Sequence, residues 1–233
     1  MWPVANQTVY PQQMLDSIEL DTPEGRIPAE LVYLAAYSAA SGVAPSHLRV
    51  LGYLHKSKSP IWQGPLTEHE GREYERQLPC LERAFAAALP DRLFDSLVSA
   101  PSSRPDLVDP FAQAARQRFP QAYDLTPFIS REGRVRSGTG ASFQEILKAT
   151  RFEVPPTTVA SGGCLLIVDD VFSTGRTAAV LARVLTGLLG AVSIVVACPL
   201  RTVQVEANFK SPTLDELRLL MIPQAGDKTR NTK

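Results

Sequence analysis

Residues 165–177 read LLIVDDVFSTGRT, and this stretch decides the predicted fold. Its first four residues are apolar, which is the pattern of a strand buried on both faces of a parallel sheet. Asp169 and Asp170 follow directly, so the strand delivers two carboxylates to its carboxyl end, where ligands bind in open α/β sheets. A Ser-Thr-Gly loop then opens a helix. The stretch therefore predicts a strand–loop–helix unit with a ligand site at its turn.

The loop at residues 173–177 has the composition of a phosphate cradle. Its backbone N–H groups and hydroxyls lie beside the N-terminal end of a helix, which carries partial positive charge. Acidic groups next to such a cradle repel phosphate, but they accept hydrogen bonds from sugar hydroxyls or hold Mg²⁺. A ligand with hydroxyls a short distance from a phosphate would suit such a site, and ribose 5-phosphate is a ligand of this kind. The alternative interpretation is that Asp169 and Asp170 merely cap the turn.

Strands and helices alternate on both sides of this stretch. The predicted elements are a strand at residues 93–100, a helix capped by Asp109 and beginning at Pro110, a strand at 125–129, a helix at 142–150, a strand at 164–168, a helix at 176–189 and a strand at 192–198. Such alternation predicts an α/β protein with a doubly wound parallel sheet.

The N-terminal third, residues 1–91, is predicted to be a mixed subdomain of its own. Pro28 suits the first turn of a helix, and apolar residues recur at helical spacing over residues 31–39 before Gly42. Thr67 and Glu70 form a capping-box pattern for a second helix that runs toward Pro79, with a further helical piece at 81–89. This segment either roofs the ligand site as a hood or presents a surface to a protein or nucleic-acid partner.

The remainder is predicted to be one domain, residues 92–223, and a disordered tail, residues 224–233, which lacks apolar anchors. The 24 basic and 24 acidic residues cancel, which argues against a general polyanion binder. The scattered Cys80, Cys164 and Cys198 fit reduced thiols of a cytoplasmic protein. Neither a secretory signal nor a membrane span is predicted, since the most apolar stretch is shorter than the ~20 residues of a bilayer helix.

Residues 165–177 resemble the phosphoribosyl pyrophosphate signature of type I phosphoribosyltransferases: an apolar strand, two acids, two apolar residues and a Thr-Gly-x-Thr-like loop. The resemblance covers the chain from Arg92 to about Thr202. It implies that Asp169 and Asp170 bind the ribose hydroxyls and hold Mg²⁺, directly or through water. It also implies a cradle for the 5-phosphate, formed by Ser173, Thr174, Gly175, Arg176 and Thr177. Phe172 departs from the usual smaller aliphatic residue.

The resemblance extends to two loops that contact pyrophosphate in this family. The loop after the strand at 93–100 contains Ser102, Ser103 and Arg104, of which Arg104 would neutralise charge on the leaving group. The glycine-rich segment 130–140 contains Arg131, Arg134 and Arg136, and it lies where these enzymes keep a flap that closes over pyrophosphate. Arg104 and Arg134 are therefore candidate catalytic residues beside the acidic pair. A solvated basic loop is the alternative for the second segment.

Within the superfamily, the chain looks most similar to competence protein F-like chains. It shares their Phe-x-Gln pattern on the helix after the pyrophosphate loop, here Phe111 and Gln113. The four-cysteine zinc element expected at their N-terminus is absent from this sequence.

Two functions follow from the resemblance. The first is a phosphoribosyltransferase of nucleotide metabolism, a pentosyl-transferring enzyme that uses Mg²⁺ and acts on phosphoribosyl pyrophosphate or another ribose phosphate. The second is a regulator or effector on the same fold, working with a partner in DNA uptake or in antiviral defence such as a retron system. Homodimers are common in the superfamily. Fold alone does not separate the two functions, and the sequence leaves the acceptor base open.

Overall fold

The computed structural model describes residues 14–38, 67–102, 105–132, 141–153, 163–190 and 193–203. Nine strands lie in these ranges: β1 Met14–Thr22, β2 Gly25–Ser38, β3 Ser96–Ser99, β4 Tyr123–Asp124, β5 Ile129–Arg131, β6 Thr150–Phe152, β7 Cys164–Val168, β8 Val171–Phe172 and β9 Ser193–Val203. The central sheet has the order β1-β2-β9-β7-β3-β4, and β8 adds to β9. Strands β5 and β6 form a separate antiparallel pair.

All strand pairs of the central sheet are parallel except the β1–β2 hairpin. The four helices of the described ranges are α1 Glu68–Ala88, α2 Pro105–Arg118, α3 Phe143–Ala149 and α4 Arg176–Leu189. One apolar cluster joins α1 and α2 to one face of the sheet, and a second joins α4 to the other face. The predicted α/β class, with a doubly wound, mostly parallel sheet, is confirmed.

Strand β7 shows how the sequence produces this two-sided core. Its side chains alternate, so that Leu166 and Val168 pack toward α1 and α2 while Leu165 and Ile167 pack toward α4. All four are buried. A strand covered on both faces needs apolar residues at every position, which explains the continuous apolar run.

The helix predicted at residues 31–39 is wrong. Residues 31–38 lie in strand β2, and Leu31, Val32, Tyr33 and Leu34 are all buried. A strand buried on both faces carries an unbroken apolar run, which also satisfies helical spacing, so the pattern was ambiguous. Residue 39 and the predicted stop at Gly42 lie outside the described residues.

Three further elements differ from their predictions. Helix α1 is continuous through Pro79, because apolar residues on both sides of that proline pack into one cluster. Helix α2 begins at Pro105 and contains Pro110 in its interior. A 3₁₀ turn, Thr126–Phe128, replaces most of the strand predicted at residues 125–129.

The described part of residues 1–91 contributes β1, β2 and α1 to the same layers as the rest of the chain. The role of residues 1–91 as a hood or partner surface stays a prediction, and the tail at 224–233 lies outside the described residues. None of the helices in the described ranges is long and apolar enough to cross a bilayer.

Candidate functional site

The acidic pair lies where β7 ends, as the sequence predicts. The Asp169 backbone N–H still donates to Ala197 O at 2.9 Å, in line with the neighbouring strand β9. Asp169 Oδ1 accepts the Asp170 N–H at 2.8 Å, and Asp170 Oδ1 accepts the Val171 N–H at 2.8 Å. Asp169 is half-buried, whereas Asp170 is only 1% exposed. The two carboxylates are thus held by local amides, and Asp169 is the more accessible.

Phe172 supports the loop that follows. It belongs to the short strand β8, which pairs with β9 so that Phe172 lies opposite Arg201. A Cβ placed on Gly175 would lie 2.8 Å from Phe172 Cζ, and the Gly175 φ angle is +69°. Both facts require glycine at residue 175. The large ring at Phe172 therefore lies directly against Gly175 at the turn.

The loop and the first turn of α4 together form a concentration of donors. Ser173 and Thr174 are exposed, and Gly175 is the N-cap, which provides no side-chain acceptor for the first helical amides. The Thr177 side chain is buried in the first turn. Free amides and hydroxyls at the positive end of a helix of this length are suited to an anion. Arg176 turns aside, since its Nη1 donates to Ala141 O at 2.8 Å.

Arg131 ends strand β5 and reaches the start of α4. Its Nη2 donates to Thr177 Oγ1 over 3.5 Å, the long limit of a hydrogen bond. Burial lowers the pKa of Arg131, and the charge of Asp169 acts in the opposite direction. Of the three arginines predicted to belong to a flap, Arg131 thus lies near Asp169 and the start of α4. Arg134 and Arg136 fall outside the described residues.

The loop predicted to contact pyrophosphate leaves the sheet at the same edge. Strand β3 is parallel to β7, with Ser99 opposite Val168, and the Ala100 N–H donates to Val168 O at 2.7 Å. Ser102 follows and is half-buried. Ser103 and Arg104 lie outside the described residues, so their contacts with a ligand stay predictions.

A polar network beside β3 was not predicted from the sequence. Arg116 Nε donates to Asp124 Oδ2 at 2.7 Å, the Thr126 N–H donates to Asp124 Oδ1 at 2.9 Å, and Thr126 Oγ1 accepts the Ser99 N–H at 2.9 Å. Burial raises the pKa of Asp124, but the hydrogen bonds from Thr126 and Arg116 outweigh it, and the net shift is downward. The only local signal was the Asp-x-Thr spacing, which is common in turns.

A second missed group joins the β1–β2 hairpin to β9. Arg201 forms an ion pair with Asp16, and its guanidinium carbon lies 5.4 Å from the centre of the Tyr33 ring. The Tyr33 hydroxyl donates to Asp16 Oδ2 at 3.1 Å. Burial lowers the pKa of Arg201 and raises that of Tyr33. This group was invisible to sequence reasoning because residues 31–39 were assigned to a helix.

The donor set bears on which cation this edge can hold. No group of three or more His, Cys, Asp or Glu side chains in the described ranges is placed to hold a metal. Mg²⁺ is nevertheless commonly bound through one or two carboxylates, with ligand phosphates and water completing its shell. The half-buried Asp169 beside Asp170 fits that mode. Cys198, behind the pair, is fully buried, and burial raises its thiol pKa, so the thiol stays neutral there.

The Phe-x-Gln pattern has a packing explanation. Phe111 is fully buried, and its ring meets that of Phe85 edge-on with centroids 5.3 Å apart, while Gln113 is exposed on α2. Phe111 therefore belongs to the core. The similarity to competence protein F-like chains stays a prediction.

The sequence matches no protein-family model and no curated protein. Among solved structures, the chain is similar to an adenine phosphoribosyltransferase from Thermoanaerobacter pseudethanolicus, with a TM-score of 0.39, 17% identity, and coverage of 57% of this chain and 83% of that one. A second adenine phosphoribosyltransferase has a TM-score of 0.32 and 19% identity, covering 55% of this chain and 78% of its own.

Proposed function

We propose that this chain binds phosphoribosyl pyrophosphate, or a related ribose phosphate, together with Mg²⁺, and transfers or hydrolyses it at the anomeric carbon. One observation carries the proposal: two adjacent carboxylates at the end of β7 stand beside the uncapped N-terminal end of α4. That juxtaposition offers acceptors for sugar hydroxyls next to donors for a phosphate. A ribose phosphate has both kinds of group, hydroxyls on its ring and a phosphate on its 5-carbon.

In this proposal the protein acts by positioning rather than by a covalent step. The bond between the anomeric carbon and pyrophosphate breaks, the electron pair leaves with pyrophosphate, and a nucleophilic nitrogen or water forms the new bond. Ser173, Thr174 and the first amides of α4 hold the 5-phosphate, and Asp169 and Asp170 orient the ribose. Fixed donors and charges of this kind lower the barrier because they need no reorganisation during the reaction.

Positive charge is needed where pyrophosphate departs. Mg²⁺, held by Asp169 with Asp170 and by ligand oxygens, would supply neutralisation of the phosphate charge. Arg131 stands beside Thr177 and Asp169, so its guanidinium can neutralise charge on the 5-phosphate held by the loop. Arg104, Ser102 and Ser103 are proposed to contact pyrophosphate from the loop after β3, and Arg134 from the flap.

Calorimetric titration tests the proposal. Wild-type protein with Mg²⁺ is expected to bind ribose 5-phosphate and phosphoribosyl pyrophosphate saturably. Asp169→Asn keeps the shape of the side chain and removes its charge, so affinity should fall by ~1.5–3 kcal/mol, roughly tenfold or more.

Asp91→Asn is the matched control, because it makes the same change at an exposed residue outside the candidate site. It should bind like wild type. Equal affinities for Asp169→Asn and wild type would remove the acidic pair from the site. Release of pyrophosphate from phosphoribosyl pyrophosphate is measured with and without added nucleobases. Release in either case would indicate an enzyme, and no release would indicate a binding protein.

A further inference from the structure

We infer that the β1–β2 hairpin is a positioning element for the phosphate loop, residues 173–177, and that Leu20 is the residue through which it acts. This inference rests on the proposed function and deepens it. It gives residues 14–38 a part in ligand binding that requires neither a hood nor a partner.

Leu20 reaches the loop directly. It is 2% exposed, and its Cδ2 lies 3.5 Å from the position that a Cβ on Gly175 would take. The Phe172 ring approaches the same position at 2.8 Å. Gly175 is thus enclosed by two apolar side chains, one from the loop itself and one from the hairpin.

This enclosure bears on the backbone of Gly175 itself. Gly175 adopts a left-handed conformation and has no capping side chain, and a glycine loses more conformational freedom on ordering than any other residue. Apolar side chains packed against it exclude alternative backbone conformations. The donors of the loop are then held ready for a phosphate before the ligand arrives, which lowers the cost of binding.

The hairpin also contacts α4 and β9 through polar side chains, so Leu20 is one of several residues that hold it in place. About two turns into α4, Arg183 Nε donates to Glu24 Oε2 at 3.2 Å. On β9, Arg201 pairs with Asp16 and stacks on Tyr33, directly opposite Phe172 in register. Alternation along β1 places Asp16 and Leu20 on one face. The hairpin therefore contacts α4, which follows the phosphate loop, and β9, which pairs with the strand β8 that precedes the loop.

Two leucine variants separate positioning from stability. Leu20→Ala removes the side chain that lies beside Gly175. Leu189→Ala removes a similarly buried leucine of the same apolar cluster at the other end of α4, roughly 20 Å away along the helix. Both variants should lower the melting temperature. Only Leu20→Ala should also weaken ribose 5-phosphate binding, by about tenfold, because small displacements of positioning groups have large effects.

Three further measurements make the test specific. Pyrophosphate with Mg²⁺ should bind to Leu20→Ala as to wild type, since the proposed function assigns pyrophosphate to the loop after β3 and to the segment 130–140 rather than to residues 173–177. Leu20→Met keeps the volume of the side chain, so its ribose 5-phosphate affinity should equal that of wild type. Leu20→Val is a smaller change than Leu20→Ala and should give an intermediate affinity. It keeps the test possible if Leu20→Ala folds poorly. Equal ribose 5-phosphate affinities for Leu20→Ala and Leu189→Ala would overturn the positioning role. Absence of binding by wild type would instead overturn the proposed function beneath it.

Discussion

The two ends of strand β7 use acidic side chains in opposite ways. At the amino end, Asp95 Oδ2 accepts the Cys164 N–H at 2.7 Å and fills the space beside Gly163, where a Cβ would lie 2.1 Å away. Close by, Arg92 Nη1 pairs with Glu30 Oε1 at 2.9 Å. At the carboxyl end, Asp169 and Asp170 each accept the backbone N–H of the next residue, beside the N-terminal end of α4. The acids at the amino end bond to other segments of the chain, whereas those at the carboxyl end lie at the edge where we propose that a ligand binds.

The largest expected effect tests the amino end. Gly163→Ala places a methyl group against Asp95 at a φ of +114°, and it breaks the bond to the Cys164 amide. The free energy of unfolding should fall by ~2–4 kcal/mol, as measured by urea denaturation. Ribose 5-phosphate affinity of the folded protein should not change. Gly71→Ala is the control: nothing lies within 4 Å of the added methyl, so it should not destabilise the protein. If Gly163→Ala unfolded at the same urea concentration as wild type, the amino end of β7 would not have the stabilising role assigned to it.

At the carboxyl end, Gly175→Ala should affect ribose 5-phosphate affinity more than stability. The methyl group meets the Phe172 ring at a φ of +69°, so the loop must shift. The stability loss should be smaller, ~1–2 kcal/mol, because the methyl group meets the far end of one side chain and leaves the backbone hydrogen bonds of the sheet in place. Ribose 5-phosphate affinity should nevertheless fall at least about tenfold. Retained affinity in calorimetric titration would show that the loop does not hold the phosphate.

Two arginine variants test which phosphate groups are bound at the carboxyl end of β7. This change removes the charge beside Asp169 and the contact with Thr177, so we expect ribose 5-phosphate and phosphoribosyl pyrophosphate to lose affinity alike, by ~1.5 kcal/mol each. Arg134→Met should weaken only the pyrophosphate-bearing ligand, if residue 134 belongs to a closing flap. Identical profiles for the two variants would argue for general electrostatic attraction.

The smallest effect concerns the network beside β3. Asp124 has a lowered pKa, so its contribution to stability is present above its ordinary pKa of 3.8 and is lost as the pH falls through the lower folded value. Asp124→Asn should therefore cost about 1 kcal/mol at pH 7, and the difference from wild type should shrink below about pH 4. Urea melts at pH 7 and pH 3 measure it. A difference that grows on acidification would contradict the assignment.

The sequence predicted best where the determinants are local. The strand at 164–168 and the helix at 176–189 agree with the structure to the residue, because a continuous apolar run, Gly175 and Gly190 mark their ends. The acidic pair follows from the same stretch. What was missed depends on distant residues: β2 pairs on one edge with β9, more than 150 residues further along the chain, and Arg131 meets Thr177 through the fold. Local periodicity contains no information on such partners.

The pairing of β2 with β9 has a consequence for biosynthesis. Leu31 and Val32 lie opposite Val196 and Ala197, which leave the ribosome only after α4 has been made. Until then, the apolar β2 has β1 on one edge and nothing on the other, and exposed edges of that kind invite wrong pairings. Non-local pairing also slows folding. The nascent chain should therefore complete its sheet and its phosphate loop in the same late step, and it should depend most on chaperones just before that step.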